Sequence, residues 1–171
     1  APSGTLRVSI ATDFGVNHIS PILGRFLRQY PEITVNMELN NRYVELISEG
    51  FDMAIRVGEL EDSSLRARKI CETKQRMIGS PAYFQTYGKP KRIDDLNDHK
   101  LLHYSNSSSS NVWKVTAPSG EQRQIRTSGS LTVNDGQSLL NAAIGGLGIA
   151  YLPRFLYAGA GREGLLEGAN P

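Results

Sequence analysis

Within residues 1–60 the spacing of apolar side chains switches repeatedly between the period of a strand and the period of a helix. Leu6, Val8 and Ile10 alternate with polar residues, and Ala11-Thr12-Asp13-Phe14-Gly15 follows with side chains suited to capping a helix. From Val16 the apolar positions Ile19, Ile22, Leu23, Phe26, Leu27 and Tyr30 recur at three and four residues, an amphipathic helix of about four turns. Pro31 ends it, because the residue before a proline is driven out of helical geometry. Ile33, Val35, Met37 and Leu39 then alternate as a second strand, and Val44, Leu46 and Ile47 suit a short helix stopped by Gly50. A strand through Ile55 closes the series. Strand, helix, strand, helix, strand is the order of a parallel α/β sheet joined by right-handed crossovers.

The third of those strands carries an anomaly. Met53, Ala54, Ile55 and Val57 are apolar and flank Arg56, with Gly50 and Gly58 bracketing the run. A guanidinium at the end of a buried strand must be paired or face a cavity. Arg56 is therefore both a candidate site residue and a candidate structural partner of Asp52 or Glu59.

After Ser63 the texture changes. Residues 69–79 are charged and only patchily apolar, suiting a crossover between lobes, and Ser80-Pro81 opens a helix with a cap and a first-turn proline. A short helix at Asp94-Asp95-Leu96, a strand at residues 101–104 and a loop of serines at 107–110 follow. Val112, Trp113 and Val115 precede Pro118-Ser119-Gly120 and Ile125, a β-hairpin pattern. Leu131-Thr132-Val133-Asn134-Asp135-Gly136 repeats the strand-to-capped-helix turn of Thr12-Asp13, and Leu139, Leu140, Ala143 and Ile144 form a helix face. Two similar turns in two halves point to two similar lobes. Gly145-Gly146-Leu147-Gly148 ends that helix and leads into a further buried strand.

Composition bounds the function. A chain of 171 residues with 39% hydrophobic content can bury one core or two small ones. Its formal net charge of +2 is too small to argue for nucleic-acid binding by itself. The lone Cys71 excludes an intrachain disulfide and a cysteine-built metal site. No apolar run approaches the roughly 20 residues that span a bilayer, and Ala1 to Gly4 does not read as a secretory signal. A cytoplasmic setting fits, though a mature secreted protein would also lack its signal.

In their order along the chain, these residues resemble the effector-binding domain of LysR-type transcriptional regulators. Ser3-Gly4-Thr5-Leu6-Arg7-Val8 resembles its start, followed by Pro21-Ile22-Leu23-Gly24-Arg25-Phe26 and Tyr30-Pro31-Glu32-Ile33. The run from Glu49 to Gly58 is the strongest single piece, and Ser80-Pro81-Ala82-Tyr83-Phe84, Val133-Asn134-Asp135-Gly136 and the run from Gly145 to Pro153 continue the resemblance. It implies an α/β, two-lobed, periplasmic-binding-protein-like fold with two crossover strands, each lobe a mixed sheet flanked by helices. The first lobe is expected at residues 1–75 and 152–171 and the second at 76–151, with crossovers near Lys74 to Ser80 and Gly146 to Leu152. The family's N-terminal winged helix-turn-helix is absent from the sequence, and a strand and helix that complete the first lobe are expected beyond its end. The reading is thus of a fragment, or of an ordered part.

The resemblance implies a small-molecule effector in the cleft between the lobes. Thr12, Asp13 and Phe14 would line the first-lobe side, with Arg56; Asn134 and Asp135 would line the second, with Ser105 and Asn106. Helix N-termini there offer backbone N–H groups and partial positive charge to anions. Asp13 and Asp135 have an equally good reading as plain N-caps, and Asp13 would oppose an anionic effector. Ser105 and Asn106 also read as ordinary strand-end turn formers. Gly148 and Ile149 would bring backbone close to the ligand where the second crossover passes. Gly146-Leu147-Gly148 is no dinucleotide loop, because it follows a helix instead of a strand.

His18, His99 and His103 have no metal-ligand spacing, so no metal or cofactor is expected. Arg68, Lys69 and Lys74 could activate Cys71, but a lone thiol has no resolving partner. No nucleophile sits beside a base, which argues against an enzyme. The expected function is effector sensing in a bacterial transcription regulator, the alternative being a periplasmic solute-binding protein of a transport system. The resemblance also implies a homodimer through the helices Val16 to Gln29 and Gln137 to Ile144, a homotetramer for the longer protein, and DNA contact only through the missing N-terminal part.

Overall fold

β1 (Gly4–Ile10) and β2 (Ile33–Leu39) run parallel along their whole length, with Leu6 opposite Val35 and Val8 opposite Met37. β3 (Met53–Ile55) joins the other edge of β1, also parallel, giving the order β2-β1-β3. Being central, β1 is the strand whose far half sinks: Val8, Ser9 and Ile10 are buried. These observations come from a computed structural model, which describes every residue except Tyr43, Glu61, Asp62, 106–110 and Asn170.

The connection from β1 to β2 is helical from Thr12 to Gln29, but not uniformly α. A short turn α1 (Thr12–Phe14) passes into a π-helical turn at Gly15–Ile19 and then into α2 (Ser20–Gln29). The Ser20 amide donates to the Gly15 carbonyl, five residues back, and Pro21 has no N–H to continue the ladder. The helix expected from Val16 therefore begins earlier and carries a widened turn. It ends at Tyr30, whose amide still donates to the Phe26 carbonyl at 3.0 Å.

The short helix expected at Val44 to Ile47 is instead a turn. The Glu49 amide donates to Glu45 and the Phe51 amide to Leu46, while Gly50 takes φ 73° and ends the winding. Arg7 holds this turn from the sheet, its Nη1 donating to the Glu49 carbonyl at 2.9 Å and its guanidinium lying 4.9 Å from the Phe51 ring centre.

Two compact units divide the chain, Ala1–Lys69 and Ile70–Pro171. In the second, β4 (Gln75–Gly79) lies between β9 (Ala150–Pro153) and β10 (Glu167–Gly168), antiparallel to both. The two segments expected as crossovers thus pair with each other, Arg76 opposite Leu152. α3 (Pro81–Tyr87) is capped by Ser80, whose Oγ accepts the Tyr83 amide at 3.0 Å, and a 3-10 helix follows at Ile93–Asp98. β5 (His103–Tyr104) and β8 (Thr132–Val133) form a parallel pair. β6 (Val112–Thr116) and β7 (Gln122–Arg126) form the expected hairpin, turning Trp113, Val115 and Ile125 inward.

One core of this unit gathers Met77, Tyr83, Leu101, Trp113 and Ile149; the other gathers Ile78, Leu102, Leu152 and, from α4 (Gly136–Ile144), Leu139, Leu140 and Ala143. Each such side chain contributes about 1.5–3 kcal/mol when fully buried. α5 (Arg154–Arg162) lays Leu156, Tyr157 and Ala160 on the second core. Residues 152–171, expected in the first lobe, accordingly belong to the second unit: β10 pairs with β4 and α5 needs that core to cover its apolar face.

Candidate functional site

Parallel sheets bind ligands beyond the carboxyl ends of their strands, where loops diverge and helices begin. In the first unit that edge collects Thr12, Asp13 and Phe14 after β1, Asn40 and Asn41 after β2, and Arg56 after β3. The sequence places three of the expected positions and Arg56 there because each follows its strand directly. The Thr12 amide is already engaged, donating to Asn41 Oδ1 at 2.9 Å. The Asp13 carbonyl accepts from Asn17 Nδ2 at 2.9 Å, and the Phe14 and His18 rings lie 5.2 Å apart.

Arg56 reaches inward. Its Nη2 donates to Ser9 Oγ at 2.6 Å and its Nη1 to the Ile55 carbonyl at 3.0 Å. Ser9 is wholly buried on β1, so the guanidinium is tied to the central strand. Asp52, one of its expected partners, accepts instead from the Arg7 amide at 2.8 Å. Ser9 and Asn41 escaped the sequence reading because each acts across the sheet on a residue distant in the chain; a hydroxyl on an otherwise apolar buried strand was the available signal.

In the second unit, Ser105 follows β5 while Asn134 and Asp135 follow the parallel β8, so the three share one carboxyl edge. The Ser105 amide donates to the Val133 carbonyl at 2.9 Å, leaving its exposed hydroxyl at the edge. Asp135 is the N-cap of α4: its Oδ2 accepts from the Ser138 amide at 2.9 Å and the Ser138 hydroxyl at 2.7 Å. That capping role takes one oxygen and leaves the half-buried residue at the mouth of the turn. Asn106 lies outside the described residues.

Gly148 and Ile149 stand elsewhere. Ile149 bridges Leu101, on the amino-terminal side of β5, and its side chain is fully buried. Its amide donates to Lys100 and its carbonyl accepts from Leu102, so both backbone groups are used within the unit. A Cβ on Gly148 would stand 2.3 Å from the Lys100 carbonyl oxygen. The close backbone approach expected at this glycine is real, but its neighbour is the protein's own chain.

His103, two residues before Ser105, is buried at 6% exposure, and its Nε2 accepts the Asn111 amide at 3.2 Å. Burial pushes its imidazole pKa down. A shallow, open cavity of about 320 Å³ lies in the same unit between Arg92, Ile93, Asp94, Pro118 and Arg123, and none of the expected site residues lines it. Among the described residues no His, Cys, Asp and Glu cluster could hold a metal ion, and Cys71 is exposed and unbridged. No helix among them is long and apolar enough to cross a membrane.

The family model described as the LysR substrate binding domain matches residues 1–168. An uncharacterized HTH-type transcriptional regulator of Haemophilus influenzae is 38% identical over 163 residues, 95% of this chain and 56% of its own length. The HTH-type transcriptional regulator CrgA of Neisseria meningitidis serogroup C is 34% identical over 165 residues, 96% of this chain and 54% of its own. The chain thus spans about half the length of these relatives. The solved CrgA regulatory domain superposes with a TM-score of 0.80 at 32% identity, covering 98% of this chain and 81% of that one. The full-length virulence activator AphB of Vibrio cholerae gives 0.83 at 28%, covering 98% and 57%. The fold class is therefore the two-lobed, periplasmic-binding-protein-like α/β class of these regulatory domains. By the match along nearly its whole length, the chain belongs to the LysR substrate-binding domain family.

Proposed function

We propose that this chain is the effector-sensing part of a LysR-type transcriptional regulator, which holds a small metabolite at the carboxyl edges of its parallel strands. The observation that carries the reading is that Thr12, Asp13, Phe14 and Arg56 share such an edge in one unit, and Ser105, Asn134 and Asp135 in the other. Hydroxyl, amide, carboxylate and guanidinium groups together suit a metabolite bearing both donors and acceptors. Asn106 is kept as a neighbour of Ser105, whereas Gly148 and Ile149 are given a packing role. A signal arises only where the effector binds one arrangement of the protein better than another.

The relatives are transcriptional regulators, which favours this reading over a transport receptor and over an enzyme. In this proposal no cofactor or metal takes part, the protein is cytoplasmic, and DNA is contacted through a helix-turn-helix part of the longer protein. Its dimer would use α2 and α4. Support is stronger for α2, which buries no residue and leaves Ile22 60% exposed, than for α4, whose Leu139, Leu140 and Ala143 are spent on the core.

A thermal-shift screen against metabolites tests the proposal. At 100 times the dissociation constant a true effector stabilises the fold by about 2.7 kcal/mol. Thr12→Ala, Ser105→Ala and Asn134→Ala are each expected to shrink that shift while leaving the ligand-free melting point within about 1 °C, since all three are polar groups outside the core. Unchanged affinity in all three variants overturns the site.

A further inference from the structure

We propose that His103 is an acid-releasable anchor: with Nε2 unprotonated it holds the Asn111 amide and so ties the start of the hairpin to β5, and a proton on Nε2 cuts that tie. The geometry leaves little choice of tautomer. Asn111 donates through its backbone N–H at 3.2 Å, so Nε2 must present its lone pair and the ring's proton must sit on Nδ1. A protonated ring has donors at both nitrogens, and the two N–H groups then face each other in a buried place.

Asn111 is a sensitive point at which to lose a bond. It is the one described non-glycine residue with a positive φ, 56°, a left-handed conformation that needs outside support. Its carbonyl accepts the Thr127 amide at 2.8 Å, so it closes the end of the hairpin at which Val112 pairs with Arg126. His103 itself is fixed from the other side, its amide donating to the Leu131 carbonyl and its strand pairing with Thr132. The anchor thus links three segments of the second unit: β5, the approach to β8, and the hairpin.

Neighbouring charges do not confuse the response. β8 presents Thr132 and Val133, which do not titrate, and Tyr104 stands beside His103 on β5. On the hairpin Lys114 and Arg126 are exposed, and Arg123 is held by Asp94 and Glu121. On α4 the carboxylate of Asp135 is engaged by Ser138. Burial alone lowers the imidazole's proton affinity. The inference does not depend on an effector, so its test is independent of the proposed function.

The test uses the whole chain, ligand-free and labelled with ¹⁵N. Imidazole nitrogen shifts at about pH 7.5 are expected to show Nε2 as the unprotonated nitrogen, since that lies above the ordinary histidine pKa. Amide exchange is then read as the ratio of Asn111 to Leu102, whose own amide is bonded to Ile149 in the core; the ratio cancels the intrinsic pH dependence of exchange. Between about pH 7.5 and pH 5 the ratio is expected to rise about tenfold, the effect of losing one buried hydrogen bond. His103→Gln offers an acceptor that does not titrate, and its ratio is expected to stay flat and low. His103→Ala should be high at both values. A proton on Nε2 at the higher pH, a flat ratio in the unsubstituted chain, or an unchanged pH response in His103→Gln overturns the anchor; if His103→Ala does not fold, the other measurements decide.

Discussion

Gly148 and His103 show how far single residues are determined by atoms remote in the sequence. A methyl group on Gly148 would meet the backbone carbonyl of Lys100 at 2.3 Å, and a backbone atom cannot step aside as a side-chain tip can. Gly148→Ala is expected to cost about 1–3 kcal/mol, measured by urea denaturation, because the segment carrying Ile149 must move away from Leu101. A cost below a few tenths would show that the close approach is slack. For His103 the sign of the pH dependence follows from burial. Its pKa in the folded chain lies below the ordinary 6.5, so the unfolded chain takes up a proton first as pH falls. The stability it contributes is complete above pH 6.5 and is lost as pH falls from there toward the folded value. Melting points measured from pH 7.5 downward are expected to fall less for His103→Gln than for the unsubstituted chain across about pH 6.5 to 5. Parallel curves would contradict this.

At the scale of elements, α4 gives the sharpest test, since one side chain caps it. Asp135→Ala removes the acceptor of both the Ser138 amide and its hydroxyl, and about 1 kcal/mol of stability should go with it, within a usual range of about 0.5–2. Asp135→Asn, which keeps an acceptor, should restore most of it in the same denaturation measurement. The cap, β1, β2, β3 and the hairpin were legible in the sequence because each is a local pattern: alternation in Leu6, Val8 and Ile10, a capping aspartate before Leu139, inward Trp113 and Val115. The same locality made Thr12, Arg56, Ser105 and Asn134 readable as strand-exit residues. What could not be read was set by distant partners. The turn before Phe51 resembles a helix until Arg7 is seen holding its carbonyls, and α5 is masked by Gly159 and Gly161, which weaken a helical signal that only the second core sustains. Likewise nothing near Arg56 in the sequence points to Ser9, nor anything near Thr12 to Asn41.

Taken whole, the molecule divides its buried surface unequally. The first unit sinks Val8, Ile10 and Phe51, whereas the second builds two clusters around Leu101 and Leu139. Local opening follows buried apolar contact, so amides of β1 and β3 are expected to exchange about tenfold or more faster than those of β4 and β9 under native conditions. Equal protection would mean that the chain opens as one body. Within the first unit, one feature also sets phase. The π turn at Gly15–Ile19 stands between the strand-exit residues Thr12 to Phe14 and the exposed face of α2 that carries Ile22. An α-helix advances about 100° per residue, so deleting one residue from that turn would restore regular winding and swing one end against the other by about that angle. The widened turn works as an indexing gear: it fixes which way the helix's outer face points for a given aim of the residues at its start.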